Sequence, residues 1–305
     1  INIEHEGFAA QGATWYTEAM YQSSAKLVRY LAQKYNIPLD RQHILGHDNI
    51  PTLLPARLTT QHYDPGPYWD WDHYMSLLHP QSAKSLAAIK PGKVITINPT
   101  FATNQQPVQD CSTGTCVPLP PQGSNIVYLH TNPDVASPLL SDQYLHPDQA
   151  PGTTNISDWS ATANNGDQFV VAAVQGDWTG VWYGGKIGWF YNPKGAASTA
   201  QISHSRTVTP KAGLASVPVY GGAYPEASAY PADIPVQPLP ALYMFAAGQS
   251  YTVGDAKLPT DYYYDWTYNY TAPNDHAIVV GQEKYYQISF NHRIGYVKAA
   301  DVDMH

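Results

Sequence analysis

Charge is scarce in this chain. Asp, Glu, Lys and Arg make up 13% of its 305 residues, and the 16 Lys and Arg form no long basic run. With a formal net charge of -8, it lacks the electrostatic footprint of a nucleic-acid binder. No stretch approaches the ~18 consecutive apolar residues of a membrane span. Cysteine is nearly absent, with Cys111 and Cys116 alone in DCSTGTC. No signal-peptide pattern opens the chain, and it starts at Ile1 rather than Met. That first residue is read as a processed end, a cut, or the limit of what was determined.

What is abundant points elsewhere. Hydrophobic residues reach 43%, enough for packed cores and too many for a disordered acidic protein. Tyr (24), Pro (26) and Gly (22) are common, and chains rich in Tyr, Asn, Gln, Thr and Pro but poor in Lys and Glu are often secreted. At ~150 residues per domain the length fits two domains or three. Three readings compete for the cysteines. A zinc knuckle needs two further ligands nearby, and none are evident. A redox pair usually reads CxxC. A structural disulfide closing the Ser-Thr-Gly-Thr loop is preferred, which implies an oxidising compartment.

Periodicity divides the chain. Ile1, Ile3 and His5 alternate with polar residues, which predicts a strand ended by Gly7. From Thr17, a plausible N-cap, Met20, Ser24, Leu27, Leu31 and Tyr35 recur at helical spacing. RQHILGH reads as a short buried strand, and a second helix is expected over Trp69 to Leu78. SAKSLAAI extends the helical part or begins a linker. VITI is strand-like, and a Pro-rich connector follows. From Ser124 the helical period is lost.

The later part contains a repeat. Tyr183-Gly-Gly-Lys186-Ile187-Gly188-Trp189 aligns with Phe290-Asn-His-Arg293-Ile294-Gly295-Tyr296. Each reads as strand, tight turn, strand. NIVYLHTNPD and ASVPVYGGAYPE look like matching entry strands. This pattern resembles bacterial SH3-like (SH3b) domains, small barrels of secreted cell-wall proteins. The expected layout is residues 1–90 as one part, a linker with the disulfide loop over 91–124, and SH3-like modules over 125–195 and 196–305. The second module carries an insertion including DYYYDWTYNY. Its aromatics fit either sugar stacking or barrel packing.

Chemistry concentrates in the first part. His47 follows a predicted strand, and Asp64 stands in HYDPGPYWDW on a turn bounded by Pro65 and Gly66. His and Asp are zinc ligands, but two ligands do not make a catalytic site. Taken alone, Asp64 reads as a helix cap. The succession INIEHEG, helix, ILGHDNIP, HYDPGPYWDW changes that weighting. It resembles the type 2 N-acetylmuramoyl-L-alanine amidases, relatives of peptidoglycan recognition proteins, over about residues 1–80.

The resemblance implies an α/β amidase part with a mixed central sheet and flanking helices. It implies cleavage of the amide between the muramic-acid lactyl group and L-alanine. It makes His47 and Asp64 zinc ligands and Glu4 the catalytic acid–base, with Glu6 a weaker alternative on the same face. His62 stands where the family commonly has Lys, and is expected to donate to the developing oxyanion. The family's third ligand, a His, would fall upstream of Ile1. The chain by itself is therefore expected to be incomplete and inactive, paired with its missing segment or another copy. Peptidoglycan is the expected partner and a bacterial cell wall the expected location. The rival reading is a non-catalytic wall-binding or surface-structural protein with a degenerate amidase part. His5, His43 and His73 are read as structural or surface groups. The histidines after residue 124, His292 among them, lie outside the amidase part.

Overall fold

The computed structural model describes residues 1–80, 87–195, 198–267 and 274–305. Residues 82–86 of SAKSLAAI and 268–270 of DYYYDWTYNY lie outside them.

The first part is built from helices and turns. Helix α1 spans Gly12–Trp15 and α2 spans Glu18–Tyr35. Thr17 caps α2 by accepting the Met20 N–H at 3.4 Å, and Asn36 ends it in the left-handed region at φ 54°. Helix α3, Trp71–Leu78, is capped by Asp70, which accepts the His73 N–H at 3.0 Å. The cap is thus Asp70 and not Asp64. Tyr21, Ala25 and Val28 of α2 pack with Trp69, Trp71, Tyr74 and Leu78. The buried stripe lies one position off the expected one, and it leaves Leu27 and Tyr35 exposed.

The central sheet expected here is not found: no described residue of 1–80 belongs to a strand. Ile1 to Gly7 run without ladder partners, mostly exposed, with Ile3 resting on the α2–α3 core. Alternation specifies a strand only where a neighbouring edge completes its hydrogen bonds. RQHILGH likewise forms turns, and a 3₁₀ turn follows at His47–Asn49. Arg41 causes this by turning inward. It lies 3.5 Å from the Trp71 ring centroid and donates to Asn49 Oδ1 at 3.2 Å and to the Ile44 carbonyl.

The remainder is antiparallel β structure. One sheet has the strand order Lys186–Tyr191, Trp178–Tyr183, Gln168–Gln175, Val94–Ile97, Ala200–Ser203. Ile95, Ile97, Phe169, Val171, Val181 and Phe190 form its core with Leu129. VITI is thus an interior strand of this sheet. The sheet also draws Ala200–Ser203 from beyond residue 195, so both expected boundaries of the first module cut through it.

A second core lies between a four-stranded sheet and a three-stranded one. The four strands run Ala241–Ala246, Ser216–Tyr220, Ile294–Lys298, Tyr285–Ser289. The three run Tyr251–Thr252, Thr207–Pro210, Val302–Met304. Val208, Val217, Phe245, Ile288, Phe290 and Val297 fill the space between them. Among the described residues neither ladder closes, so the expected SH3-like barrels are not seen.

Both repeat segments are hairpins with different turns. Gly184 and Gly185 take φ of 57° and 80° between paired Tyr183 and Lys186. The other loop closes through the Phe290 N–H to the Arg293 carbonyl at 3.4 Å, with no positive φ at Asn291 or His292. The two hairpins meet end to end, where Gly184 N–H donates to the Phe290 carbonyl at 2.7 Å. Cys111 and Cys116 are joined in a disulfide beside the ribbon of Gln109–Asp110 and Val117–Pro118.

Candidate metal centre

Two loops carry the candidate ligands, and both are fixed from behind. In the first, Asn49 Oδ1 accepts the Gly46 N–H at 3.1 Å. Gly46 has no room for a side chain, since a Cβ would stand 2.3 Å from Asp48 Oδ1 and 2.6 Å from Pro65 Cδ. In the second, Asp64 and Pro65 are joined by a cis peptide, and Gly66 takes φ 70°. Tyr16 donates its hydroxyl to the Pro65 carbonyl at 2.8 Å. Burial, with Tyr21 and Asp64 nearby, pushes the Tyr16 phenol well above its usual value, which keeps it a donor. Asn125 Nδ2 donates to the Gly66 and Trp69 carbonyls at 2.9 and 2.8 Å.

The aromatics around Asp64 act beneath the turn. Trp69 and Trp71 belong to the α2–α3 core, and Tyr68 packs with Val108 and Ile156. They hold the turn in place but do not enclose the carboxylate, whose side chain is 54% exposed.

His47, His62 and Asp64 converge. Each offers a ligand atom, and these atoms all lie within 4.8 Å of one another. His47 Nδ1 is 3.4 Å from Asp64 Oδ2, and His62 Nδ1 is 3.5 Å from Asp64 Oδ1. The imidazole centroids are 5.0 Å apart. A tetrahedral site with bonds of about 2.0–2.2 Å has edges of about 3.3–3.6 Å. The two carboxylate–imidazole distances, to different Asp64 oxygens, are of that size, and two imidazoles with one carboxylate suit zinc. No other group of three His, Cys, Asp or Glu among the described residues is so placed.

The other candidates stand apart. Glu4 is exposed, outside this donor set, and without a side-chain hydrogen bond or ion pair among the described residues. Glu6 is exposed as well. His5 bonds Ser24 Oγ at 2.7 Å, His43 pairs with Asp40 at 2.7 Å, and His73 pairs with Glu18 at 2.8 Å. These three have the structural roles expected of them.

The sequence reading missed the residues behind the cluster. Asp48, next to His47, is buried and hydrogen-bonded through Oδ2 with His292 Nε2 at 3.0 Å. Arg293 donates Nε–H to the Asp48 carbonyl at 3.1 Å, and its guanidinium lies 4.0 Å from the Trp159 ring centroid. Burial lowers the Arg293 pKa to about 10, which leaves a cation at neutral pH. The loop before His62 is also docked, because Leu58 is buried with Trp159 and Leu242. This loop thus packs onto the β part. The only sequence signal was the basic-Ile-Gly hairpin, which marked a turn and not a contact.

The comparisons with known proteins bear on this same segment. Residues 1–67 match the model of a family described as N-acetylmuramoyl-L-alanine amidase. The chain is 36% identical over 86 residues to the 1,6-anhydro-N-acetylmuramyl-L-alanine amidase AmpD of Citrobacter freundii. That alignment covers 28% of this chain and 40% of AmpD, so the chain spans about two fifths of the relative's length. The N-terminal segment is therefore similar to peptidoglycan amidases of type 2, and its family-matched residues include all three members of the cluster.

Proposed function

We propose that this chain is a zinc-dependent peptidoglycan amidase that hydrolyses the amide between the muramic-acid lactyl group and L-alanine. One observation carries the reading. His47, His62 and Asp64 meet at ligand spacing inside the segment that matches the amidase family. Zinc held there supplies a Lewis acid for the scissile carbonyl and lowers the pKa of water. The chain's own residues do the rest. His47 and Asp64 fix the site from two braced loops. Glu4, matched to the acid–base of the resembled family, would take a proton from the attacking water and return it to the leaving amine.

His62 changes role in this reading. Its Nδ1 faces Asp64 at 3.5 Å, at ligand spacing, instead of standing off as an oxyanion donor. With it, three protein ligands come from this chain, and the inactivity expected from ligand count loses its premise. The β part would hold the enzyme on the wall, and exposed Tyr263 and Trp266 of the insertion are suited to stacking on sugars. The disulfide fits a secreted, cell-wall location. Among the described residues no helix is long and apolar enough to cross a membrane.

The deciding experiment incubates the zinc-loaded chain with purified peptidoglycan and analyses the products by mass spectrometry. Stem peptides with a free N-terminal alanine are the expected product. Binding to the wall without any such peptide would favour the rival, a wall-binding protein with a degenerate amidase part.

A further inference from the structure

We infer that the hairpin tip Asn291–Arg293, far along the chain, is a positioning device for the metal-binding loops. The inference rests on the zinc reading above and adds to it residues outside the family-matched segment. His47 and His62 are exposed imidazoles, at 49% and 73%, so packing around the rings does not set their places. Their positions depend on the backbone beside them. One guanidinium holds the chain beside both, by a backbone contact next to His47 and a side-chain contact next to His62. Arg293 donates Nε–H to the carbonyl of Asp48, the residue after His47, at 3.1 Å. Its Nη1 donates to Oε1 of Gln61, the residue before His62.

The grip is itself rigid. Arg293 is 3% exposed and rests on Trp159. His292 holds the Asp48 carboxylate through Nε2 at 3.0 Å and is fixed at Nδ1 by Thr162 Oγ1 at 2.9 Å. Asn49 Nδ2 donates to the His292 carbonyl at 3.0 Å. The third ligand is reached through the same residue, since Asp48 N–H donates to the Asp64 carbonyl at 2.9 Å. A flat fork has donors on two edges in fixed directions, whereas an ammonium is a compact charge at the end of a flexible stem. Groups one step behind a metal's ligands typically change affinity about 10–100-fold when altered.

The test uses the full chain and reads metal binding and fold separately. Zinc affinity is measured by chelator competition, and site geometry by the visible absorption of the Co²⁺ form. R293K removes the fork but keeps the charge. Q61A removes the Gln61 amide, which accepts from Arg293 and donates to the Ile50 carbonyl, at a partly exposed position. Q249A removes a buried amide that bonds the Gly185 carbonyl, Ala246 N–H and Tyr251 hydroxyl but neither metal-binding loop, and serves as control. R293K and Q61A should each lower zinc affinity about 10–100-fold and shift the Co²⁺ spectrum, with far-UV circular dichroism unchanged. Q249A should do neither. Wild-type affinity and spectrum in both R293K and Q61A, with the parent binding metal normally, overturn this inference alone. Failure of the parent chain to bind zinc or Co²⁺ removes the zinc reading, and this inference falls with it. If R293K does not fold, Q61A alone decides.

Discussion

The backbone N–H of Asp48 donates to the carbonyl of Asp64 across 2.9 Å. Two loops separated by an excursion onto the β part are thereby closed on each other. Each presents an exposed ligand type on its outer side, His47 from one and Asp64 with His62 from the other. The bond explains how the cluster can be both exposed and fixed in shape.

Removal of single members of the cluster should separate ligands from other roles. H47A and D64A should lower zinc affinity by more than the about 10–100-fold typical of groups behind the ligands. H62A should do the same. The measurement is metal content after dialysis against a weak chelator. Normal zinc in H62A with severely reduced turnover would return His62 to the role of oxyanion donor.

Glu4 is expected to act on protons and not on the metal. E4Q should reduce turnover about 10²–10⁴-fold, the range for a general acid–base, with zinc content as in the parent. Loss of zinc together with activity would make Glu4 a ligand instead. Parallel assay of E6Q, which should retain most activity, tells the two carboxylates of the segment apart.

Gly46 tests the closure of the loops. A Cβ there would lie 2.3 Å from Asp48 Oδ1 and 2.6 Å from Pro65 Cδ, so both loops would have to part. G46A should cost about 1–3 kcal/mol, as overpacking does, and lower zinc affinity as well. Thermal unfolding with and without zinc checks it. An unchanged melting temperature would mean the loops yield freely.

Legibility in the sequence followed the range of the interactions involved. Helix α2 was readable because Thr17 and its apolar spacing act within a few residues. The Tyr183–Lys186 hairpin was readable because two glycines supply its turn. His47 and Asp64 were found by the motifs around them, and the structure does bring them together. The Ile1–Gly7 strand failed because a strand needs an edge that local alternation cannot supply. The stripe of α2 slipped by one position because Leu27 and Ala25 differ in burial by their surroundings and not by hydrophobicity. Asp48 and His292 stand 244 residues apart, and no local pattern could pair them.

Asp142 offers a pH-dependent test of how the segment around Tyr144 is held to Tyr243 at the second core. Its Oδ2 accepts the Tyr243 hydroxyl at 2.8 Å and its Oδ1 accepts the Tyr144 N–H at 2.9 Å. Burial raises its pKa above the ordinary carboxylate value, and these hydrogen bonds offset only part of that. The folded chain therefore holds this proton more tightly than the unfolded chain does. The stabilisation is full below the unfolded value of about 3.9. It is lost as pH rises through the raised folded value. In D142N the amide oxygen still accepts from Tyr144, and the amide nitrogen can donate to the Tyr243 oxygen. The stability of the parent minus that of D142N, measured by urea unfolding at a series of pH values, should fall from about pH 4 upward and then level off. A difference that rises over that range would show the carboxylate to be favoured in its charged form, against the burial argued here.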